Sequence, residues 1–480
     1  MAQFFNLTLD TTAPSGGSIT VDSYYNTAGS VGLSAGQAGA SFMKVWVSQS
    51  ATGTESDTNY PSSWEVYDTS KTVSFNSQGT NYVHAQFMDE VGNISSIVDS
   101  SATTYDNVAP SISAVSINSG DDYTNNTSAT VRVSVTDATS GVDYVTLSGD
   151  IVETGDSAKF TFNDTDRTNG YKDCSVTLTS TDATKTVSAT ATDRAGNTST
   201  SSSDSIALDT TEASATLVLR NAGDTANLSP YVNDDDFAAA ISTEDTDIVS
   251  YKIWGDIDGA TSEPANWTPA TFNNEGRMLV DNLTFTSTEG TKVVYVKIRD
   301  IGGNVTGPIS TSVVYDVTAP TVGLSADVSV ISAQSGYNSV TFTYTGSDTN
   351  SMTNYQLKVD DSVIKQGSFT NNMTQTVTEA EIVAVSAGEG SKSFVLYVDD
   401  VAGNTGNSSA VSIAVDLTAP TGSVTASEYY NSSSISVTVS GSDTGGASMS
   451  KMKVWLDSSE PSSWENYSAG SYAMTGVAEG

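Results

Sequence analysis

Only one cysteine, Cys174, occurs in 480 residues, so no disulfide can form within the chain. Only one histidine occurs, His84, which excludes a multi-histidine metal site and leaves little for histidine acid–base catalysis. Basic residues are scarce: 19 Lys and Arg face 56 Asp and Glu, for a formal charge of −37. Nucleic acid is bound through basic patches, so it is not expected as a partner. No run approaches the roughly 18 apolar residues of a membrane helix, and membrane insertion is not expected. The opening Met1-Ala-Gln-Phe-Phe-Asn-Leu-Thr-Leu-Asp10 lacks a basic segment leading into an apolar one, so no general secretory signal is read there. Carboxylates abound, but no spacing singles out a catalytic pair. A non-enzyme is expected.

Ser, Thr, Asn, Asp and Gly dominate, and hydrophobic residues make up 37%. That suffices for sheets that bury one face per strand. So acidic a surface stays solvated and attracts divalent cations.

Two short motifs recur. The first is a hinge: Asp10-Thr-Thr-Ala-Pro14, Asp106-Asn-Val-Ala-Pro110, Asp209-Thr-Thr-Glu-Ala213, Asp316-Val-Thr-Ala-Pro320 and Asp416-Leu-Thr-Ala-Pro420. The second is a turn: Asp89-Glu-Val-Gly-Asn93, Asp193-Arg-Ala-Gly-Asn197, Asp300-Ile-Gly-Gly-Asn304 and Asp400-Val-Ala-Gly-Asn404. Turn and hinge aspartates lie 17, 16, 16 and 16 residues apart. This is a tandem repeat of about 100 residues, a domain-sized unit.

Residues two, four and six before each turn aspartate are all apolar: Phe87, Ala85, Val83; Ala191, Ala189, Val187; Ile298, Val296, Val294; Val398, Leu396, Phe394. Period two with one dry face predicts a half-buried antiparallel strand. Gly-Asn then tolerates the positive φ of a hairpin turn. Proline four residues after the hinge aspartate cannot join a ladder, so the chain leaves the sheet there. Further Val/Ile/Thr-rich runs predict about seven strands per repeat, hence an all-β tandem array of immunoglobulin-like antiparallel β-sandwiches. Only Glu379–Val385 reads as a helical turn. The expected boundaries are a final-strand-like segment at 1–10, domains at 11–106, 107–209, 210–316 and 317–416, and an incomplete fifth domain at 417–480. The junction after Asp209 lacks its proline and is expected to be the loosest.

All six tryptophans fall in repeats one, three and five. Trp46, Trp254 and Trp455 follow Lys-x in strands and are expected in the core. Trp64, Trp267 and Trp464 lie in Pro/Ser-rich loops and are candidates for stacking on sugars. Burial in the core competes with that reading.

The hinge and turn together resemble the tandem bacterial immunoglobulin-like repeats of phage virion and fibre proteins and of large surface adhesins. The resemblance implies a structural and adhesive protein at a virion surface or, alternatively, a bacterial cell surface, or a spacer without ligand. Its implied partners are other virion proteins, host-surface carbohydrate or protein, and further copies of itself. In some such adhesins junction aspartates bind Ca²⁺. Carried over, this makes Asp106, Asp209, Asp316 and Asp416 the Ca²⁺ candidates, with Asp121 and Asp122 nearby; hard oxygen ligands suit that ion. The same aspartates equally serve as turn caps, so no cofactor is certain.

Overall fold

A computed structural model describes residues 7–475, apart from 38, 224–225, 429–431, 446–447 and 457–458. The chain divides into two compact units. One is Met1–Ala213 with Asp247–Val249 and Ile298–Thr306; the other is Ser214–Thr246, Ser250–Lys297 and Gly307–Gly480.

In the first unit, strands Ser18–Thr20, Gly29–Ser34 and Ser70–Val73 form a three-stranded sheet. Tyr24–Tyr25, Thr103–Tyr105, Gly79–Met88, Phe42–Ser48 and Glu65–Val66 form a second sheet in that order, with Val98–Asp99 also on Gly79–Met88. The pattern returns about 100 residues later. Ser111–Ile117, Ser128–Thr136 and Tyr171–Thr177 make the smaller sheet; Tyr123–Thr124, Ser202–Leu208, Ala183–Asp193, Val142–Gly149 and Lys159–Thr161 make the larger.

In the second unit the three-stranded sheets are Thr216–Asn221, Asp236–Ser242, Arg277–Thr284 and Thr321–Ala326, Ser339–Ser347, Met373–Thr378. Against the latter lies the sheet Val330–Ser332, Val411–Asp416, Gly390–Asp400, Met352–Val359, Ser362–Ser368, with Thr405–Asn407 also on Gly390–Asp400. Further along, Thr421–Thr425, Ser434–Ser442 and Gly470–Thr475 pair, as do Lys451–Met452 and Glu465–Asn466, around buried Ile435, Val437, Val439 and Met452.

The twelve apolar positions before the turns set the register, and all twelve are fully buried. Each such side chain contributes about 1.5–3 kcal/mol when a Val or Leu leaves water completely. Cys174 joins the second repeat's core at 0% exposure. Burial pushes its thiol up to about 12, so it packs as a small apolar residue.

The sheets depart from a purely antiparallel plan in one repeated place. A short strand early in each of the first four repeats runs parallel to that repeat's last strand: Tyr24–Tyr25 on Thr104–Tyr105, Tyr123–Thr124 on Ala207–Leu208, Tyr231–Val232 on Val314–Tyr315, and Val330–Ser332 on Ala414–Asp416. The chain has crossed from one sheet to the other before this strand begins, so it enters beside the last strand in the same direction. Helix appears at Glu379–Val385 as the sequence predicts, with Thr378 as its cap. A second helix, Asp164–Asn169, is not expected from periodicity; Asn163 accepts from the Asp166 N–H at 2.9 Å, and Gly170 at φ +75° closes it. That is capping chemistry without an apolar stripe. The expected N-terminal strand is not seen at 7–10, where Leu7 and Leu9 are exposed; its first part lies outside the described residues.

Candidate cation site at the repeat junctions

The two sequence motifs meet in space. In each turn the glycine takes a φ of +94° to +98°, at Gly92, Gly196, Gly303 and Gly403, a region that costs other residues dearly. This lets the aspartate fold over its own loop. Asp193 Oδ1 accepts from the Asn197 N–H at 2.9 Å, and Oδ2 accepts from the Asn197 side-chain amide at 2.8 Å. The same Asn197 amide donates to the main-chain carbonyl of Asp106, the hinge before it, at 2.8 Å. Asn93 does this to Asp10 at 3.1 Å, Asn304 to Asp209 at 3.0 Å, and Asn404 to Asp316 at 2.8 Å. The turn of each repeat therefore grips the hinge that leads into that repeat.

A second grip comes from the repeat that ends at the hinge. Eleven residues before the turn aspartates stand Gln78, Asp182, Glu289 and Glu389. Glu289 accepts from the Val317 N–H at 2.9 Å and the Thr318 hydroxyl at 2.7 Å, and Glu389 from Leu417 and Thr418 likewise. Asp182 accepts from the Thr210 N–H and from both the Thr210 and Thr211 hydroxyls. Gln78 donates to the Asn107 side-chain oxygen at 2.8 Å. A third sequence signal sits beside the turn glycine: Tyr24-Tyr-Asn26, Tyr123-Thr-Asn125 and Tyr231-Val-Asn233. A Cβ on Gly196, Gly303 or Gly403 would lie 3.5, 3.8 or 3.5 Å from the Asn26, Asn125 or Asn233 amide. The first of these signals is readable in the sequence as a fixed offset of eleven residues from the turn; the spacing of the asparagines from the turn varies.

Two of the four candidate hinge aspartates sit in acidic clusters. Asp106, Asp137 and Asp193 each present a carboxylate oxygen within 4.8 Å of the others, and so do Asp316, Asp348 and Asp400. Asp106, Asp193, Asp316 and Asp400 are buried, while Asp137 and Asp348 are half-buried. The middle aspartate comes from the loop after the strand Ser128–Thr136 or Ser339–Ser347, which the sequence reading did not select. Asp121 and Asp122 belong to neither cluster. Loop bonds hold these acids: Asp137 Oδ1 accepts from the Thr139 and Gly141 N–H groups, and Asp106 Oδ2 from the Ser140 N–H. Among the described residues both donors to Asp137 go to Oδ1 and none to Oδ2. Burial pushes the Asp137 carboxyl above its ordinary range, and the charges of Asp106 and Asp193 push it the same way. Ser140 is buried and its hydroxyl has no hydrogen-bond partner. In the other cluster the Asn350 amide donates to Asp316 Oδ2 at 2.5 Å.

Asp209 and Asp416 do not enter such clusters among the described residues. In the third repeat the loop acid Asp245 accepts from the Ser214 N–H at 2.6 Å. Asp209 Oδ2 is buried without a partner. Burial raises its carboxyl, with Asp300 and Asp247 adding to the effect. This junction is the one without proline. Ala213 is buried there, and its carbonyl accepts from the Thr306 hydroxyl at 2.6 Å. Added hydrogen bonds stand where the ring is missing.

The tryptophans divide differently from the sequence expectation. Trp46 is buried, but with Lys44 it points away from the sandwich core, beneath the loop that follows its strand. Its indole N–H donates to Asp57 at 2.8 Å, and Tyr60 and His84 pack on it. Trp254 is half-buried and stacks on Tyr295, while Trp455 is 45% exposed. The outer face of the sheet, not the core, holds these rings, because core positions alternate with them along the strand. The loop tryptophans share one partner: Lys44, Lys252 and Lys453 place their ammonium groups 5.2, 5.0 and 5.1 Å from the rings of Trp64, Trp267 and Trp464. Trp64 and Trp267 are half-buried, and Trp464 is 61% exposed.

His84 lies between Asp99, at 2.7 Å from Nδ1, and Ser48, at 2.9 Å from Nε2. The order resembles an acyl-transfer triad, but the imidazole is wholly buried. A Cβ on Gly53 would approach its ring to 2.6 Å, and Trp46 packs against it. No substrate reaches such a ring, and the network is one of packing.

No protein-family model matches the chain, and no curated protein does. Solved structures similar to it include a tetra-tandem repeat from the extending region of a large adhesion protein, at 16% identity over 84% of this chain and 100% of that one, with a TM-score of 0.34. Part of a 1.5-MDa bacterial ice-binding adhesin matches at 17% identity over 65% and 99%, with a TM-score of 0.31. Fibronectin(III)-like modules of Clostridium thermocellum CbhA match at 15% identity over 42% and 94%, with a TM-score of 0.25.

Proposed function

We propose that the chain is a non-enzymatic structural and adhesive protein whose immunoglobulin-like repeats are locked together at their junctions, two of them by Ca²⁺. The observation that carries this reading is the buried meeting of Asp106, Asp137 and Asp193 around the gripped hinge, repeated at Asp316, Asp348 and Asp400. Three carboxylates so close repel one another, and a divalent cation relieves that repulsion. The donor set fits: all ligand atoms are hard oxygens, Asp137 keeps one carboxylate oxygen without a donor among the described residues, and the Ser140 hydroxyl lies buried without a partner beside Asp106. The ion would supply charge neutralisation and a cross-link between adjacent repeats; it has no reaction to perform.

Melting the full chain in Ca²⁺ and in EDTA tests this. A higher melting temperature in Ca²⁺ is expected, reduced in Asp137→Asn and Asp348→Asn. Equal melting in both buffers rejects the metal.

The finer reading is a tailed-phage virion protein, in head or tail fibre or decoration, making weak repeated contacts with host-surface or mucus carbohydrate. The resemblance of the hinge and turn motifs supports it, as does the exposed ring of Trp464. A bacterial surface adhesin carries the same motifs and is the alternative. Weak contacts on a tandem chain gain avidity when several engage together. Retention on immobilised mucin that survives Trp64→Ala, Trp267→Ala and Trp464→Ala together would remove the tryptophans from any carbohydrate contact.

A further inference from the structure

We infer that each of the first four repeats is built to bear tension between its two ends. The inference deepens the structural reading above, and its test is independent of the ion and of any ligand. It follows from the parallel pair that each of these repeats forms. In the second repeat, Tyr123–Thr124 lies alongside Ala207–Leu208 in the same direction. The Ala207 N–H donates to the Asp122 carbonyl and the Asp209 N–H to the Thr124 carbonyl, both at 2.9 Å. The strand Ser111–Ile117, which the hinge feeds, is tied to the last strand as well: the Ile117 N–H donates to Asp204 Oδ2 at 2.8 Å.

Pulling on the chain draws the early strand toward the preceding hinge and the last strand toward the following one. Parallel neighbours pulled from opposite ends slide past each other. All the bonds between them are then loaded at once, whereas a hairpin opened from its free ends loses its bonds one by one. Forced unfolding is governed by the unfolding barrier rather than by equilibrium stability, so this arrangement resists force beyond what the burial ledger of the domain implies.

The pairing recurs with the same partners. Thr104 N–H donates to Ser23 and Asp106 N–H to Tyr25; Val314 N–H donates to Pro230 and Asp316 N–H to Val232; Ala414 N–H donates to Ser329. In the first three repeats the hinge aspartate itself makes the last of these bonds. Its N–H is held by the repeat it ends, and its carbonyl is held by the turn asparagine of the next repeat. Load passing from one repeat to the next thus enters directly at a hydrogen-bonded residue.

The test is single-molecule force spectroscopy on the full chain in EDTA, so that no ion contributes. Pulled through its two ends, the protein is expected to show a set of high-force unfolding events. Ala207→Pro removes one loaded N–H and should move one event out of that set. Val133→Ala hollows the core of the same repeat at a fully buried position; it should lower resistance to denaturant and leave the force of that event unchanged. A third arm keeps the wild-type fold, with one handle at Thr181→Cys and the other at the C-terminal end. It opens the pair Ala183–Asp193 and Ser202–Leu208 from its free ends and should unfold the second repeat at lower force. Equal force in the two pulling directions, or an unchanged event in a folded Ala207→Pro protein, overturns the inference.

Discussion

Asn197 and Asp106 lie 91 residues apart in sequence, yet the side-chain amide of the one donates to the main-chain carbonyl of the other at 2.8 Å. The turn of one repeat thereby fixes the hinge that introduces it. Asn197→Ala removes this bond and the bond to Asp193 Oδ2 together. A loss of about 1–3 kcal/mol is expected, since one acceptor is a buried carboxylate. Denaturant melts of the variant should show an earlier transition for the second repeat. Asn404→Ala should act alike on the fourth.

Glu289→Ala removes a carboxylate that accepts from Val317 and Thr318. Both contacts lie at the surface, so only a slight global loss of stability is expected. The local effect should be larger than the global one. Hydrogen exchange at the Val317 amide, which donates to Glu289, should accelerate while exchange within Gly390–Asp400 stays unchanged.

The acids divide by sign in a pH titration. Asp137 and Asp209 are raised by burial first and neighbouring carboxylates next. Glu289 is lowered, chiefly by the Thr318 hydroxyl, and Asp182 by the Thr211 hydroxyl. A raised carboxyl holds its proton more tightly in the folded state, so its contribution favours folding below the ordinary pKa of 3.8. That contribution is lost as pH rises through the folded value. The lowered pair contributes the reverse, present above the ordinary carboxylate range and lost as pH falls through the depressed values. Carboxyl-carbon NMR in EDTA should place the midpoints of Asp137 and Asp209 above 3.8, and those of Asp182 and Glu289 below their ordinary values. Added Ca²⁺ should pull the Asp137 midpoint down.

Acrylamide quenching should rank the tryptophans by exposure. Single-tryptophan variants retaining Trp464, at 61% exposed, should quench strongly, and those retaining Trp46, at 3%, weakly. Lys453→Met should change the emission of Trp464, because an ammonium lies 5.1 Å from its ring.

Much of the fold was legible because its signals are local. Phe394, Leu396 and Val398 alternate along one strand, and alternation needs no knowledge of the partner strand. The role of Gly403 follows from backbone sterics alone. What stayed hidden depends on contacts between distant segments. Asp137 and Asp348 look like ordinary loop acids until folding carries them to a hinge some 30 residues earlier in the chain. Trp46 was expected in the core because its strand is central, yet on that strand Val45 and Val47 face inward and Trp46 faces the covering loop. Which face a ring takes is a matter of phase, and an aromatic side chain gives no sign of it when both faces end up covered. The parallel strand was missed for a different reason: Tyr24–Tyr25 and Tyr123–Thr124 are two residues long, too short for any period to show.

The hinge aspartate gives its N–H to one repeat and its carbonyl to the next. Neighbouring repeats are therefore not thermodynamically independent: melting one strips a partner from the other's boundary. Stability in such a chain sums over units and over nearest-neighbour terms, so a repeat flanked on both sides outlasts the same repeat isolated. Excising the second repeat at 107–209 would sever its hinge bonds at both ends, and its midpoint should fall below that of the same sequence within the chain.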